Sequence, residues 1–113
     1  MEGRKSKRLS VEVGCWLVEM DGATCLYTFD LSDEGVAVIT EDPLPVGRSV
    51  ILQFFTPRSA SAVTLKAQVV WSRLEPEGAM GLRFVEMDVR GRETLREFMR
   101  LLLEQRQRER PVR

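Results

Sequence analysis

Between Leu9 and Glu86 the apolar residues recur at every second position in short runs, and after Asp88 they recur every three or four. Alternation sends successive side chains to opposite sides of a strand, so each run has one apolar face to bury. The later spacing instead makes a single stripe along a helix. Leu9, Val11, Val13, Cys15 and Leu17 alternate with Ser10, Glu12 and Gly14. Thr24 to Leu31 follows, with Cys25, Tyr27, Phe29 and Leu31 as its expected inward face, and then Val36 to Thr40, Val50 to Thr56, Ala62 to Ser72 and Met80 to Glu86. Trp71 is expected inward with Val63, Leu65, Ala67 and Val69. Leu95, Phe98, Met99 and Leu102 predict a helix from about Val89 to about Gln105, with Asp88 as its N-cap and Glu93, Arg96, Glu97 and Arg100 on its solvent face. Closing a sheet on itself buries one face of every strand and removes the edges. The expected fold is therefore mainly β: a small six-stranded antiparallel β-barrel with one C-terminal α-helix over a mouth or edge.

The first hairpin turns at Met20-Asp21-Gly22-Ala23. Matching the two apolar faces predicts a loop one residue longer than a strict Asp-Gly turn, with a bulge, pairing Leu17 with Tyr27 and Cys15 with Phe29. Cys15 and Cys25 would then be offset by about four residues, too far for the Cα separation of about 5–6 Å that a disulfide needs. They read as two buried thiols in a reducing compartment.

A chain of 113 residues makes one domain with a core of its own. Residues 1–8 read as a flexible basic arm, 9–105 as the barrel with its helix, and 106–113 as a frayed basic tail. Seventeen basic and seventeen acidic residues cancel, so no overall field draws the protein to nucleic acid or membrane. No apolar run reaches the roughly 18 residues that span a bilayer. Glu12 interrupts the apolar stretch a signal peptide would need, so the expected location is the cytoplasm. With no His the commonest general base is missing, and Ser32 stands in Leu-Ser-Asp rather than in a nucleophile elbow. The expectation is a protein that is not an enzyme and holds no metal. The acidic pairs Asp33-Glu34 and Glu41-Asp42 read as solvated turn residues. Trp16 and Phe55 are the only aromatics expected to alternate outward, too few to stack a nucleic acid strand.

Two segments remain. Arg4-Lys5-Ser6-Lys7-Arg8 is RxxxR just before the first strand, and Asp30-Leu31-Ser32-Asp33-Glu34-Gly35 is DxSxxG between the second and third. Either alone is an ordinary basic terminus or an ordinary turn. In this order and at this spacing, the pair resembles the PilZ domain family. The resemblance extends over roughly residues 4 to 103, through Pro43 and Gly47, Val69-Val70-Trp71, Gly78-Ala79-Met80-Gly81-Leu82-Arg83-Phe84 and the closing helix.

The resemblance implies a bacterial, stand-alone receptor that binds the second messenger cyclic di-GMP and needs no cofactor. Arg4 and Arg8 match the family's two arginines; Asp30, Ser32 and Gly35 match its barrel half. Lys5 and Gly3 are additional candidates, Gly3 preceding the first arginine where members differ in taking one ligand molecule or an intercalated pair. Arginine forks suit the guanine acceptor edge or a phosphate, and a carboxylate suits the guanine N–H edge. Gly35 is expected either to supply a positive φ or to let the backbone approach the ligand. Ligand binding would order the arm for an unidentified downstream protein. The alternative is a ligand-blind PilZ adaptor that binds proteins of pilus or flagellar machinery. Neither reading involves nucleic acid or membrane insertion.

Overall fold

The computed structural model describes residues 8–9, 13–20, 22–54 and 63–109. Among the described residues seven strands and one helix follow in order: β1 (Arg8–Leu9), β2 (Val13–Glu19), β3 (Gly22–Ser32), β4 (Gly35–Ile39), β5 (Ser49–Phe54), β6 (Val63–Arg73), β7 (Ala79–Val85) and α1 (Val89–Glu109). Every pairing is antiparallel. The sheet runs β1-β3-β2-β5-β6-β7-β4, and β4 pairs back onto β3 to close it. The short β1 and the longer β2 pair with opposite ends of β3, so together they occupy one barrel position. The result is the expected six-stranded antiparallel barrel with one helix.

Alternation places the core. Val50, Leu52 and Phe54 of β5 and Val63, Leu65, Ala67 and Val69 of β6 are buried, with the intervening residues turned outward or half-buried. Leu95, Phe98 and Leu102 of α1 pack on this cluster. Phe98 lies 5.6 Å from Phe54, centroid to centroid, and Phe84 meets Phe54 edge-on at 6.4 Å. Asp88 caps the helix, its Oδ1 accepting from the Gly91 amide at 2.8 Å. The helix continues to Glu109, past its expected end at Gln105, so residues 106–109 are helix rather than tail. Gln105-Arg106-Gln107-Arg108-Glu109 are all good helix formers, and nothing in them breaks the pattern before Pro111.

The first hairpin departs from expectation. Glu19 opposes Gly22, Leu17 opposes Thr24 and Cys15 opposes Leu26, so only two positions separate the strands. The inward residues of β3 are Leu26 and Thr28, while Cys25 is exposed and Tyr27 is 62% exposed. Leu31 is inward as expected. The cause is a bulge at Phe29, where the β3–β4 register shifts between Thr28 and Asp30. Counting back from Leu31 by twos across one extra residue inverts every earlier assignment. A second bulge, at Val70, shifts the β6–β7 register and brings Trp71 partly outward, 38% exposed. Its indole covers Gly81, where a Cβ would stand 2.1 Å from the ring nitrogen, and Arg73 stacks 5.6 Å from the ring centroid.

The cysteines are both free, for a different reason from the one expected. Trp16 opposes Cys25, so Cys15 is only one position out of register with it but faces the interior while Cys25 faces out. Burial pushes the Cys15 thiol up to about 11, more than the neighbouring Thr28 hydroxyl lowers it. At pH 8 roughly one Cys15 in a thousand is then the reactive thiolate. An aromatic disulfide reagent should therefore label one thiol, Cys25, in the folded protein and release the second only in denaturant. Rapid labelling of both thiols in the native state would contradict the burial of Cys15.

Candidate functional site

The site is built where β3 ends. The bulge at Phe29 that inverted the earlier residues leaves Leu31 in the core, with half-exposed Asp30 before it and buried Ser32 after it. Residues two apart on a strand share a face, so Asp30 and Ser32 both lie on the outer side of the barrel. β1 runs along this segment: Leu9 opposes Leu31 and Arg8 opposes Ser32. Directly opposed residues of an antiparallel pair also share a face, so the second arginine of RxxxR stands at the register position beside the DxSxxG segment. Arg4, Lys5 and Gly3 lie outside the described residues.

Ser32 shapes the loop itself. Its buried hydroxyl oxygen accepts from the Glu34 amide at 3.1 Å and the Gly35 amide at 3.2 Å, folding Asp33 and Glu34 into a tight turn. The Phe84 amide donates to the Glu34 carbonyl at 2.9 Å and ties the turn to β7. Gly35 needs no positive φ; among the described glycines only Gly22 and Gly47 have one. A Cβ on Gly35 would lie 2.3 Å from the Leu82 carbonyl oxygen, so the glycine serves the close approach of β4 to β7. Of the two expectations for Gly35, this corrects the positive φ.

Asp33 is a second correction. Its side chain is only 16% exposed rather than solvated, and its Oδ2 lies 3.3 Å from Arg96 and 3.9 Å from Arg92 of α1. Arg92 also donates to the Asp33 backbone carbonyl at 3.4 Å. Arg96, expected on the solvent face of the helix, therefore reaches back to the loop. The i, i+4 spacing of Arg92 and Arg96 was visible in the sequence, since it sets both on one side of the helix. Their common partner, some sixty residues earlier, was not.

Beside the loop the outer face is floored by small residues. Asp30 opposes Ala37, Ala37 opposes Gly81, and Gly81 opposes Trp71. Exposed Arg83 stands opposite Gly35 one step along β7. Neither Arg83 nor Trp71 stands out in the sequence as a site residue, because a charge within a strand and an aromatic on an apolar run look like solvated and core residues. The described surface has a carboxylate at Asp30 and a cation at Arg83, with Ala37 between the strands and Gly81 beneath the Trp71 indole, and the backbone of Arg8 runs beside it. It can take a planar, hydrogen-bonding, anionic partner: the carboxylate accepts from N–H donors, while guanidinium forks donate to acceptor pairs or phosphate oxygens.

A model of the PilZ domain matches residues 2–101. No curated protein matches the sequence significantly. The PilZ domain of YcgR from Escherichia coli, solved with c-di-GMP, is 17% identical and superposes with a TM-score of 0.76 over 98% of this chain and 100% of that one. MotI/DgrA, an inhibitor of motility from Bacillus subtilis, gives a TM-score of 0.72 at 17% identity over 98% of this chain and 55% of that one. MrkH from K. pneumonia, in complex with c-di-GMP, gives 0.71 at 15% identity over 97% and 57%. The chain thus spans little more than half the length of MotI and of MrkH. At these identities the likeness is one of fold.

Proposed function

The chain belongs to the PilZ domain family, and from that premise we propose that it is a cytoplasmic receptor for cyclic di-GMP that binds rather than catalyses. Arg4 and Arg8, with Asp30, Ser32 and Gly35, form the ligand site, and Lys5 and Gly3 flank it. The observation that carries this reading is the β1–β3 register, in which Arg8 opposes Ser32. That pairing sets the last residue of RxxxR beside the third residue of DxSxxG and supports a shared site. Solved PilZ proteins containing c-di-GMP, YcgR and MrkH, share the fold and support the choice of ligand.

The roles follow from the chemistry. The arginines donate in pairs to a guanine acceptor edge or to a phosphate. Asp30 accepts from guanine N–H groups on the opposite edge. Ser32 and Gly35 hold the turn that presents Asp30, the first through its hydroxyl and the second through its missing Cβ. Closure of the basic arm over the nucleotide then offers a changed surface to a downstream protein.

Calorimetric titration with cyclic di-GMP tests the proposal. Saturable binding with one or two molecules per chain is expected. No binding at mid-micromolar concentrations would overturn the receptor reading and leave the ligand-blind adaptor in its place.

A further inference from the structure

We infer that Asp33, held by Arg92 and Arg96, is a positioning residue for the loop between β3 and β4, fixing the turn that presents Asp30 and Ser32 beside Arg8. The inference rests on the receptor reading above and adds to it a structural control of the same site.

Four ties hold this loop. Ser32 closes the turn upon itself, Glu34 is bound through its carbonyl to β7, and Gly35 packs against Leu82. Asp33 ties the loop to the helix: its carboxylate faces Arg96 at 3.3 Å and Arg92 at 3.9 Å, and Arg92 grips its backbone carbonyl at 3.4 Å. The backbone contact matters most, because it constrains the path of the chain as well as one side chain.

The helix end of the clamp is unusual by the ordinary rules of helix charge. The first turn of α1 carries Arg90 and Arg92 and no acidic residue. Cations at a helix N-terminus oppose the helix dipole. Asp88 places one carboxylate at the N-cap, and Asp33 adds a second from another part of the chain, on the helix face that Arg92 and Arg96 share. The helix in turn is anchored by Leu95 and Phe98 in the core. A ligand group held through such a rigid support keeps its geometry better than one on a free loop. The three charged groups thus act between the barrel and the helix, next to the proposed ligand residues and without needing to touch the ligand.

The test compares the parent with Arg92→Ala, Arg96→Ala, the double variant and Asp33→Ala. Amide exchange at Glu34 and Gly35 is measured without ligand, affinity for cyclic di-GMP by calorimetry, and global stability by thermal melting. In the double variant exchange at both amides should rise about tenfold and affinity fall about fivefold to tenfold. Melting should move by no more than about 3 °C. Adding Asp33→Ala to the double variant should cost nothing further, because the groups act as one unit. Replacing both arginines by lysine should restore part of the loss, since charge is kept but the fork is not. Unchanged exchange in the double variant overturns the clamp. Faster exchange with affinity within about twofold of the parent overturns its positioning role, and a large fall in melting temperature makes it a general stabiliser instead. If the parent itself binds no cyclic di-GMP, the receptor reading fails on its own, and with it the loop's ligand role. The exchange data then still report whether the helix holds the loop.

Discussion

Replacing Arg8 by alanine is expected to weaken cyclic di-GMP binding about tenfold to a hundredfold, with Asp30→Ala giving a loss of similar size. A hydrogen bond to a charged group contributes about 1.5–3 kcal/mol, and each 1.4 kcal/mol is a factor of ten in affinity. Arg8 is the more informative choice, because its backbone pairs with Ser32 and so already lies beside the DxSxxG segment without ligand. Arg8→Lys separates charge from geometry: where a fork is needed, lysine should recover only a minor part of the loss. Calorimetry on the three variants, with circular dichroism to show that each is folded, reads the effect. Parent-like affinity in both Arg8→Ala and Asp30→Ala would remove the site from this face of the barrel.

The second large effect is on stability. Phe54→Ala is expected to cost about 3–5 kcal/mol, the usual range for deleting a buried aromatic ring. Phe54 is fully buried and touches two other rings, Phe84 on β7 and Phe98 on the helix. Its loss opens a cavity where the barrel and helix meet, so neither can close the gap alone. For a chain of this size the melting temperature should fall by roughly 10–20 °C. Phe54→Leu keeps much of the volume and should cost clearly less. Chemical denaturation of both variants checks the ordering. A Phe54→Ala midpoint close to that of the parent would mean that α1 is not seated on this cluster.

The two effects fall on different parts of the molecule, and so does what could be read without a structure. Asp88 and the spacing of Leu95, Phe98 and Leu102 were enough to place the helix, because capping and a one-sided apolar stripe are local properties. Val50, Leu52 and Phe54 were equally plain. The face of β3 was not, since alternation carries only parity, and one extra residue at Phe29 turned Cys25 and Tyr27 outward and Leu26 and Thr28 inward. Trp71 was misplaced for the same reason at Val70.

The order of strands and helix, the position of RxxxR and DxSxxG along the chain, and the family resemblance were all set by residue types and their spacing over short stretches. Only the folded chain decided that Arg8 opposes Ser32, that Gly35 makes room for the Leu82 carbonyl, and that Asp33 is shared by two arginines of the terminal helix. Patterns along a strand or helix are written by neighbours a few positions apart. Contacts between residues about sixty positions apart depend on how the barrel closes, and bulges adjust that closure without leaving a mark in composition or period.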